Sequence, residues 1–270
     1  MNVTLITGGS DGIGAEMARQ LAARHGGGIA LVLAGRSRDK LDAVAAQCSA
    51  LGAQVLTIAM EMAEEAQCRE LVARTVATFG RLDTLVNNAG ISAQALFEQV
   101  SAQDLHWYED LMKVNLWGSV WCTHAALPHL KASRGRIVAV SSLSGLLGVP
   151  GRTAYAATKF AMTGFFEALR AELKPSGVGV TIAYPGVVTT GLRQRGYNAR
   201  GEAAGFSGLK EDDAMSVEEC ARLIVDGMER RRRDIVMTAK GKIGRFLKLV
   251  APSVVDDMAL AALKEEVRPR

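Results

Sequence analysis

Short runs of Val, Ile and Leu alternate along the chain with longer segments in which apolar residues recur every three to four positions. The short runs lack clean polar alternation, which is typical of strands covered on both faces. The longer segments predict helices that connect parallel strands. The predicted strands are Val3–Thr7, Ile29–Ala34, Gln54–Ala59, Thr84–Asn87, Arg136–Ser141, Val178–Tyr184 and Asp234–Met237, and the predicted helices span 13–25, 38–51, 64–79, 102–131, 153–174 and 217–232. This order predicts an α/β fold, a single-domain Rossmann-type doubly wound parallel sheet of about seven strands.

The helical pattern continues beyond the last predicted strand. From Lys242, apolar residues recur at helical spacing with basic residues on the opposite face, which predicts an amphipathic helix that ends near Pro252 and a second helix from Ser253. We expect 239–270 to be a C-terminal helical extension of the domain. Either both helices pack on the domain or on a partner subunit, or 242–250 makes peripheral contact with an anionic membrane surface. The apolar positions of the first helix are Ile243, Phe246, Leu247 and Val250.

Charge and composition narrow the function classes. The 270 residues carry a net charge of +4, and the basic residues concentrate in 229–248. Four consecutive arginines, Arg230 to Arg233, stand at a predicted helix end. Arginines in this position more often interact with the helix dipole and with solvent than bind nucleic acid, so no nucleic-acid partner is predicted. Four histidines and four cysteines are scattered without metal-ligand spacing, which predicts no metal site and buried, reduced thiols. The first strand begins almost at Met1 and no long apolar stretch occurs later in the chain, so we expect a cytoplasmic protein without a signal peptide or spanning helix.

A glycine-rich turn follows the first predicted strand and leads directly into a helix. Glycine allows the tight turn and lets the backbone approach a pyrophosphate without a Cβ in the way. The helix N-terminus then offers free N–H groups and a positive dipole end to the anion. The turn predicts that residues 1–238 form a dinucleotide-binding domain. The expected contacts in this turn are Gly8, Ser10, Gly12, Ile13 and Gly14.

The end of the second predicted strand bears on the choice of dinucleotide. An acidic residue there would bind the ribose hydroxyls and repel a 2′-phosphate, whereas this chain has Arg36 and Ser37. A guanidinium beside a hydroxyl suits a phosphate, which favours NADP(H) over NAD(H). Asp11 argues the other way, because a cation in the phosphate turn would help to bind NADP(H).

Tyr155 and Lys159 lie four positions apart in a predicted helix, so their side chains share one face. A tyrosine is a poor acid at neutral pH, and an adjacent ammonium stabilises its phenolate. Taken alone, the same spacing is common in ordinary surface pairs. The weight of this pair therefore depends on its surroundings.

Six ordered motifs between Thr4 and about Met237 resemble those of the short-chain dehydrogenase/reductases. They are the turn Thr7–Gly14, the run Asn87–Gly90, Asn115 within Val114–Gly118, the pair Ser141 and Ser142, Tyr155 with Lys159, and Pro185–Thr190. The resemblance implies an NADP(H)-dependent enzyme that interconverts a carbonyl and an alcohol, acting as a homodimer or homotetramer.

The resemblance also assigns roles. Tyr155 would be the general acid in reduction, Lys159 would stabilise its phenolate and hold the ribose hydroxyls, and Ser142 would polarise the substrate oxygen. Asn115 would position a water that relays protons to Lys159. Further implied cofactor contacts are Asn88, Ala89, Gly90, Pro185, Gly186, Val188 and Thr190. The sequence departs from the family's commonest form at Asp11 and at Glu61-Met62, where an aspartate and a small β-branched residue are usual. Glu61 and Met62 should still border the adenine.

The substrate is left open by these motifs. A lipophilic ketone or aldehyde, such as a steroid-like, retinoid-like or long-chain carbonyl, is the leading interpretation. A 3-oxoacyl thioester on a carrier protein or coenzyme A is a second, and a non-catalytic NADP(H)-sensing regulator is a third from another class. The glycine-rich, weakly patterned stretch 191–214 predicts a substrate lid that is poorly ordered without ligand.

Overall fold

Seven parallel strands form one sheet in the computed structural model, which describes residues 1–265. The order across the sheet is β3-β2-β1-β4-β5-β6-β7, so the direction of strand addition reverses between β1 and β4. This arrangement confirms the predicted doubly wound fold. The strands are β1 (Asn2–Thr7), β2 (Ile29–Gly35), β3 (Gln54–Ala59), β4 (Thr84–Asn87), β5 (Arg136–Val140), β6 (Gly179–Tyr184) and β7 (Asp234–Val236).

Helices cover both faces of the sheet, which explains why its strands are apolar on both sides. The helices are α1 (Gly12–His25), α2 (Arg38–Ala50), α3 (Glu65–Phe79), α4 (His106–Met112), α5 (Gly118–Ser133), α6 (Thr153–Leu173), α7 (Val217–Glu229), α8 (Ala239–Val250) and α9 (Pro252–Ala261). One core lies between the sheet and α1, α2 and α7; the other lies between the sheet and α3, α5 and α6. All four cysteines are buried and none forms a disulfide, as predicted.

The predicted continuous helix over 102–131 is wrong. A 3₁₀ turn covers Ala102–Leu105, and a π-helical segment, Lys113–Trp117, separates α4 from α5. A π segment inserts an extra residue into the helical turn and so rotates the next part of the helix relative to the part before it. Trp107 is consequently buried while Trp117 is 47% exposed, although both were expected along one helical segment.

The boundaries of α7 show two local effects. Ser216 caps its start, where Oγ accepts a hydrogen bond from the Glu219 N–H at 3.1 Å. The reciprocal half of a capping box does not form, because the Glu219 carboxylate pairs with Arg222. The helix ends at Glu229 rather than 232, since Arg231 adopts a left-handed φ of 51°.

The C-terminal extension is helical, but α8 packs through glycine. Gly241 and Gly244 are its buried residues and lie against Leu143 and Leu147. Its larger apolar side chains are therefore left uncovered on the other side of the helix. Those exposed by half or more are Ile243, Phe246, Leu249 and Val250. No helix within residues 1–265 has the length and hydropathy to cross a membrane, and 266–270 of the predicted extension lie outside the described residues.

Candidate active site

A cavity of about 1020 Å³ opens at the carboxyl ends of the strands, at the point where strand addition reverses. Open α/β sheets bind their ligands at this position. The sequence-predicted residues on its wall are Gly8, Ser10, Gly12, Ile13, Arg36, Glu61, Met62, Asn88, Ala89, Gly90, Ser142, Tyr155, Lys159, Pro185, Gly186, Val188 and Thr190. Three predicted residues, Gly14, Ser37 and Asn115, do not line it.

The glycine turn forms a cradle that side chains would fill. Gly8 and Gly12 have φ of +67° and +52°, the left-handed region that favours glycine. A Cβ on Gly14 would lie 2.3 Å from the carbonyl oxygen of Gly8, so Gly14 permits the close packing of α1 on the turn without reaching the cavity. The Gly12 N–H at the start of α1 donates to the Asp11 carboxylate, whereas the N–H groups that follow at a helix N-terminus have no partner within the helix and can bind an anion. The residues present therefore fit a pyrophosphate.

The sequence predicted that the Asp11 carboxylate would disfavour a bound phosphate. In the structure this carboxylate lies beside two positively charged side chains. Its carboxylate accepts the N–H of Gly12 at 2.7 Å and lies 3.4 Å from Lys40 Nζ and 3.2 Å from Arg195 Nη2. Partial burial raises the Asp11 pKa, but these three contacts outweigh it and the net pKa is lowered. The carboxylate's charge is thus locally offset by two cations.

Arg36 lies on the cavity wall at the end of β2 and is solvent-exposed. No carboxylate of residues 1–265 forms an ion pair with it. Ser10 comes close to this strand end, since a Cβ on Gly35 would lie 3.0 Å from Ser10 Oγ. Ser37 stands at the N-cap of α2 and off the wall. A guanidinium without an ion-pair partner among residues 1–265 and a hydroxyl from the glycine turn therefore both lie near the end of β2.

Met62 and Glu61 border the same end of the cavity. The Met62 side chain packs on the start of α5, where a Cβ on Gly118 would lie 2.7 Å from its Cε. Gly118 thus provides the room for a side chain larger than the family's usual one. Glu61 is exposed, and its backbone N–H donates to Gln67 Oε1.

The segment after β4 is tied to the glycine turn. Asn88 Nδ2 donates to the carbonyl oxygens of Thr7 and Gly8 at 2.9 and 3.2 Å. Gly90 lies against the catalytic end of the cavity, because a Cβ there would be 3.0 Å from Asn115 Oδ1 and 3.7 Å from Lys159 Nζ. This segment therefore joins the two ends of the site.

Tyr155 and Lys159 project from the first turns of α6 and are almost fully buried. Lys159 Nζ lies 5.7 Å from the Tyr155 ring centroid and donates to the Val140 carbonyl at the end of β5, at 3.0 Å. Burial lowers the Lys159 pKa; Tyr155 raises it and Arg152 lowers it, with a net lowering. The ammonium is thus fixed beside the phenol by the sheet edge.

The two serines after β5 have different environments. Ser141 is buried and its Oγ donates to the Lys159 carbonyl at 3.2 Å, which anchors α6 to the sheet. Ser142 lies on the cavity wall, and its Oγ accepts the Ser144 N–H at 3.1 Å. That acceptor bond leaves the Ser142 O–H proton available to a substrate oxygen. Ser141 also lines the cavity, but its hydroxyl is engaged with α6, so this contrast favours Ser142 for substrate contact, which stays a prediction.

Asn115 lies in the π segment and is fully buried. Its Oδ1 accepts the Ile91 N–H at 2.8 Å, and its Nδ2 donates to the Ile91 carbonyl and to Thr158 Oγ1 at 3.0 Å each. The side chain thus ties the segment after β4 to the residue before Lys159. The predicted role in positioning a water stays a prediction.

The run after β6 closes the cavity from the other side. The Pro185 carbonyl accepts the Leu143 N–H at 2.9 Å, and Gly186 lies against Thr238. Val188 is buried and forms a bridge with Met215. Thr190 approaches the glycine turn, since a Cβ on Gly12 would lie 3.4 Å from its Cγ2.

The segment 191–214 crosses the cavity opening and is held at several points. Tyr197 N donates to the Ser92 carbonyl at 2.9 Å, and its own carbonyl accepts the Gln94 N–H at 2.8 Å. Arg193 is buried and pairs with Glu211 at 2.7 Å. The expected change in order on ligand binding stays a prediction.

Comparison with known proteins agrees with this geometry. A model of the family described as short chain dehydrogenase matches residues 2–200. The chain belongs to this family. It is therefore an oxidoreductase of the short-chain dehydrogenase type.

Several curated relatives of this dehydrogenase come from plants. The 11-beta-hydroxysteroid dehydrogenase-like 4A of Arabidopsis thaliana is 37% identical over 254 residues, which are 94% of this chain and 82% of the relative. The 11-beta-hydroxysteroid dehydrogenase A of Sesamum indicum is 36% identical over 260 residues, 94% of this chain and 73% of the relative.

Two solved structures share the fold. A short-chain dehydrogenase/reductase from Burkholderia phymatum, in complex with NAD, has a TM-score of 0.79 at 24% identity over 94% of both chains. An alcohol dehydrogenase from the archaeon Thermococcus sibiricus, complexed with 5-hydroxy-NADP, has a TM-score of 0.71 at 24% identity, covering 87% of this chain and 94% of that chain.

Sequence reasoning missed the substrate side of this dehydrogenase's cavity. Arg152 lies on its wall one helical turn before Tyr155, a spacing that places both on one side of the chain and was visible in the sequence. The apolar wall comes from segments far apart in sequence, and no local motif marks it. Its members include Leu143, Leu147, Val149, Leu192, Val255 and Met258.

Proposed function

We propose that the protein is an NADP(H)-dependent dehydrogenase/reductase that interconverts a carbonyl and an alcohol on a lipophilic substrate, with Tyr155 as general acid and base. The observation that carries this proposal is the shared cavity in which Tyr155, Lys159 and Ser142 face a wall of aliphatic side chains. A bound nicotinamide would supply or accept the hydride. The protein supplies placement, a proton and charge stabilisation.

In the reduction direction, Tyr155 donates its hydroxyl proton to the substrate oxygen as the carbonyl carbon becomes an alcohol carbon. Lys159 stabilises the resulting phenolate by its charge, because its ammonium is held 5.7 Å from the ring centroid. Ser142 donates a hydrogen bond to the same oxygen and polarises the carbonyl before the proton moves. Oxidation of the alcohol follows the same steps in reverse.

The preference for NADP(H) rests on Arg36. Its guanidinium is exposed and unpaired among the described residues, and Ser10 lies beside the same strand end. The pyrophosphate would be held by Gly12, Ile13 and the N-terminus of α1. Asp11 opposes a phosphate less than the sequence suggests, since Lys40 and Arg195 offset its charge.

The proposed substrate class draws on the wall and on the relatives. Aliphatic residues from the segment after Ser142 and from α9 suit a rigid or long apolar skeleton, and the plant relatives carry the name 11-beta-hydroxysteroid dehydrogenase. A steroid-like ketone is the best-supported member of the class, ahead of retinoid-like and long-chain carbonyls.

A substrate panel tests the proposal. Steroidal ketones, retinal, a long-chain aldehyde and a 3-oxoacyl thioester would each be offered with NADPH or NADH, and cofactor absorbance would be followed. We expect turnover of the lipophilic carbonyls with NADPH and none by Tyr155→Phe. Absence of turnover by the folded wild-type protein with every carbonyl would reject the proposed function.

Two alternatives have less support. An anionic carrier would need free cations, and the segment 191–214 contains Arg193, Arg195, Arg200 and Lys210. Three of these four are paired, Arg193 with Glu211, Arg195 with Asp11 and Arg200 with Glu202. Fewer unpaired cations are therefore available to bind the anionic carrier of a thioester substrate. A non-catalytic regulator does not require Tyr155 and Lys159 to share the cavity with Ser142, as they do here.

We also propose that α8 contacts a membrane surface. Its exposed apolar residues lie on one side of the helix, and Gly241 and Gly244 on the other side line the cavity, so lipophilic substrate could pass along this helix from a lipid phase. The electrostatic part is small, because Arg245 pairs with Asp234 and Lys240 with Asp213. Co-sedimentation with anionic and neutral liposomes tests this, with Phe246→Ser as the variant. No binding to either liposome by the folded protein would reject it.

A homo-oligomer stays our proposal for the assembly. Trp117 in the π segment and Phe160 in α6 expose 47% and 36% of their surface, and contact with a second copy of the chain would remove this apolar area from water. Sedimentation velocity at two protein concentrations tests the assembly, with Trp117→Arg as the variant. A single species with the mass of one chain would reject it.

A further inference from the structure

Arg152 occupies an unusual position in the catalytic cavity. It stands directly before α6, is 7% exposed and lies on the cavity wall. The carbon at the centre of its guanidinium is 4.3 Å from the centroid of the Tyr155 ring. One nitrogen, Nη2, donates to Ser92 Oγ at 2.7 Å, while Nε is buried without a hydrogen-bond partner. The group is thus held by one hydrogen bond and by stacking.

Among residues 1–265, no carboxylate supplies a counter-charge for this guanidinium. The equally buried Arg193, by contrast, pairs with Glu211 at 2.7 Å and donates to Ser207 and to the Val188 carbonyl. A buried charge is costly unless it is paired and hydrogen-bonded. Burial lowers the Arg152 pKa, Tyr155 raises it and Arg193 lowers it, with a net lowering. The contrast indicates that the partner of Arg152 lies outside residues 1–265, and its place on the cavity wall favours a ligand bound in the cavity.

We propose that Arg152 binds a carboxylate of the substrate, so that the lipophilic carbonyl compound is an oxo acid. The inference rests on the proposed function, which it deepens. A guanidinium stacked on the Tyr155 ring holds the carboxylate beside the phenol that protonates the carbonyl, so only a few bonds separate the two groups. The planar fork of arginine matches a carboxylate, with Ser92 fixing its orientation. The aliphatic wall then takes the rest of the skeleton.

Pairs of acids and methyl esters provide the direct test. Ten-carbon oxo acids with the carbonyl at carbon 4, 5 or 6, and the methyl ester of each, would be compared by kcat/KM. A charge-assisted bond contributes about 1.5–3 kcal/mol, so we expect wild type to prefer at least one acid over its ester by about ten- to a hundredfold. In Arg152→Gln the acid-to-ester ratio should fall to near one, and Arg152→Lys should retain part of it.

A matched control separates this site from general charge effects. Arg200→Gln removes one positive charge from an exposed guanidinium that pairs with Glu202. We expect it to keep the wild-type acid-to-ester ratio. An equal fall of the ratio in Arg200→Gln would assign the preference to the long-range field of the lid and overturn the proposal.

A binding measurement distinguishes failure of this inference from failure of the proposed function. Calorimetry with the Tyr155→Phe variant and NADP⁺ needs no turnover, and the 4-, 5- and 6-oxo acids should bind about tenfold or more tighter than their esters. If no carbonyl is reduced but this preference holds and disappears with Arg152→Gln, only the proposed reaction fails. Equal binding of acids and esters by Tyr155→Phe overturns the inference. An equal loss of kcat for acid and ester in Arg152→Gln, with a displaced pH profile, would also overturn it and make Arg152 a positioning residue for Tyr155.

Discussion

The two ends of the cavity are built differently. At the proposed cofactor end, backbone and glycine dominate: Gly8, Gly12 and Gly14 shape a cradle within eight residues of one another. At the substrate end, side chains from the region around Arg152, the lid 191–214 and the helices α8 and α9 converge from distant parts of the sequence. The cofactor end is thus specified locally, and the substrate end by tertiary packing.

Removal of one hydroxyl where the two ends meet should have the largest effect. In Tyr155→Phe we expect kcat to fall about a thousandfold, within the range for loss of general acid–base catalysis, with little change in cofactor affinity. Turnover assays paired with cofactor titration measure both. Tyr108→Phe is the control, because its hydroxyl bonds Thr153 at 2.8 Å and is not part of the cavity wall. A Tyr155→Phe variant within tenfold of wild type would contradict the assignment.

An added methyl group in the glycine turn, at the cofactor end of the cavity, should lower the stability of the protein. In Gly14→Ala the new Cβ would meet the Gly8 carbonyl and Asn88 Nδ2 at 2.3 and 2.5 Å. The Gly8 carbonyl belongs to the backbone, and Asn88 Nδ2 is held by two hydrogen bonds, so neither can move away freely. We therefore expect a loss of about 3 kcal/mol in the free energy of unfolding, at the upper end for overpacking. Gly164→Ala is the control within α6, where no atom lies within 4 Å of the new Cβ. The free energy of unfolding of Gly164→Ala should rise by about 0.5–1 kcal/mol from helix propensity. Urea unfolding measures both variants, and equal stabilities of the two would contradict the prediction.

Cofactor choice should respond to one side chain at the backbone-built end. If Arg36 binds the 2′-phosphate, Arg36→Asp should shift the ratio of the dissociation constants for NADPH and NADH by about ten- to a hundredfold towards NADH. Arg38→Asp, two positions on in α2, is a control of equal charge change. A ratio that stays unaltered in Arg36→Asp, or moves equally in Arg38→Asp, rules Arg36 out as the discriminator.

The smallest effect is expected where the lid touches the glycine turn. Arg195 pairs with Asp11 across the opening at 3.2 Å, with both side chains about half exposed. Such a pair contributes about 0.2–1 kcal/mol, so Arg195→Gln should raise hydrogen exchange in 191–214 by about fivefold at most. The control is Lys113→Gln, distant from the lid. No change in exchange would show that the pair does not hold the lid.

The same pair predicts a pH dependence. The Asp11 pKa is lowered in the folded protein, so the stabilising contribution of its ionised form is present at neutral pH and is lost as the pH falls through the folded pKa. Lid protection factors, corrected for intrinsic exchange, should therefore fall at acid pH in wild type. Asp11→Asn should remove that dependence; an unchanged profile would assign it to another group.

The sequence predicted the features that depend on local pattern. All seven strands were located because their apolar runs are continuous, and the wall residues of the glycine turn were found from the strand-turn-helix order. The sequence did not predict the π-helical segment Lys113–Trp117, because the spacing of apolar residues is helical on both sides of an inserted residue. The sequence did not predict the ion pairs of Asp11 or the lack of a carboxylate partner for Arg152 among residues 1–265. Both depend on contacts between distant segments.

The packing of α8 on the loop after Ser142 has a consequence for how such enzymes diversify. Gly241 and Gly244 let the helix backbone settle on Leu143 and Leu147, and a Cβ on either would meet those leucines at 2.5 or 2.8 Å. One added methyl group would displace the leucine side chain or the helix and resize the pocket, while the glycine turn and Tyr155 stay untouched. New substrate ranges could thus arise by single steps in the last quarter of the chain, with the reaction chemistry inherited unchanged.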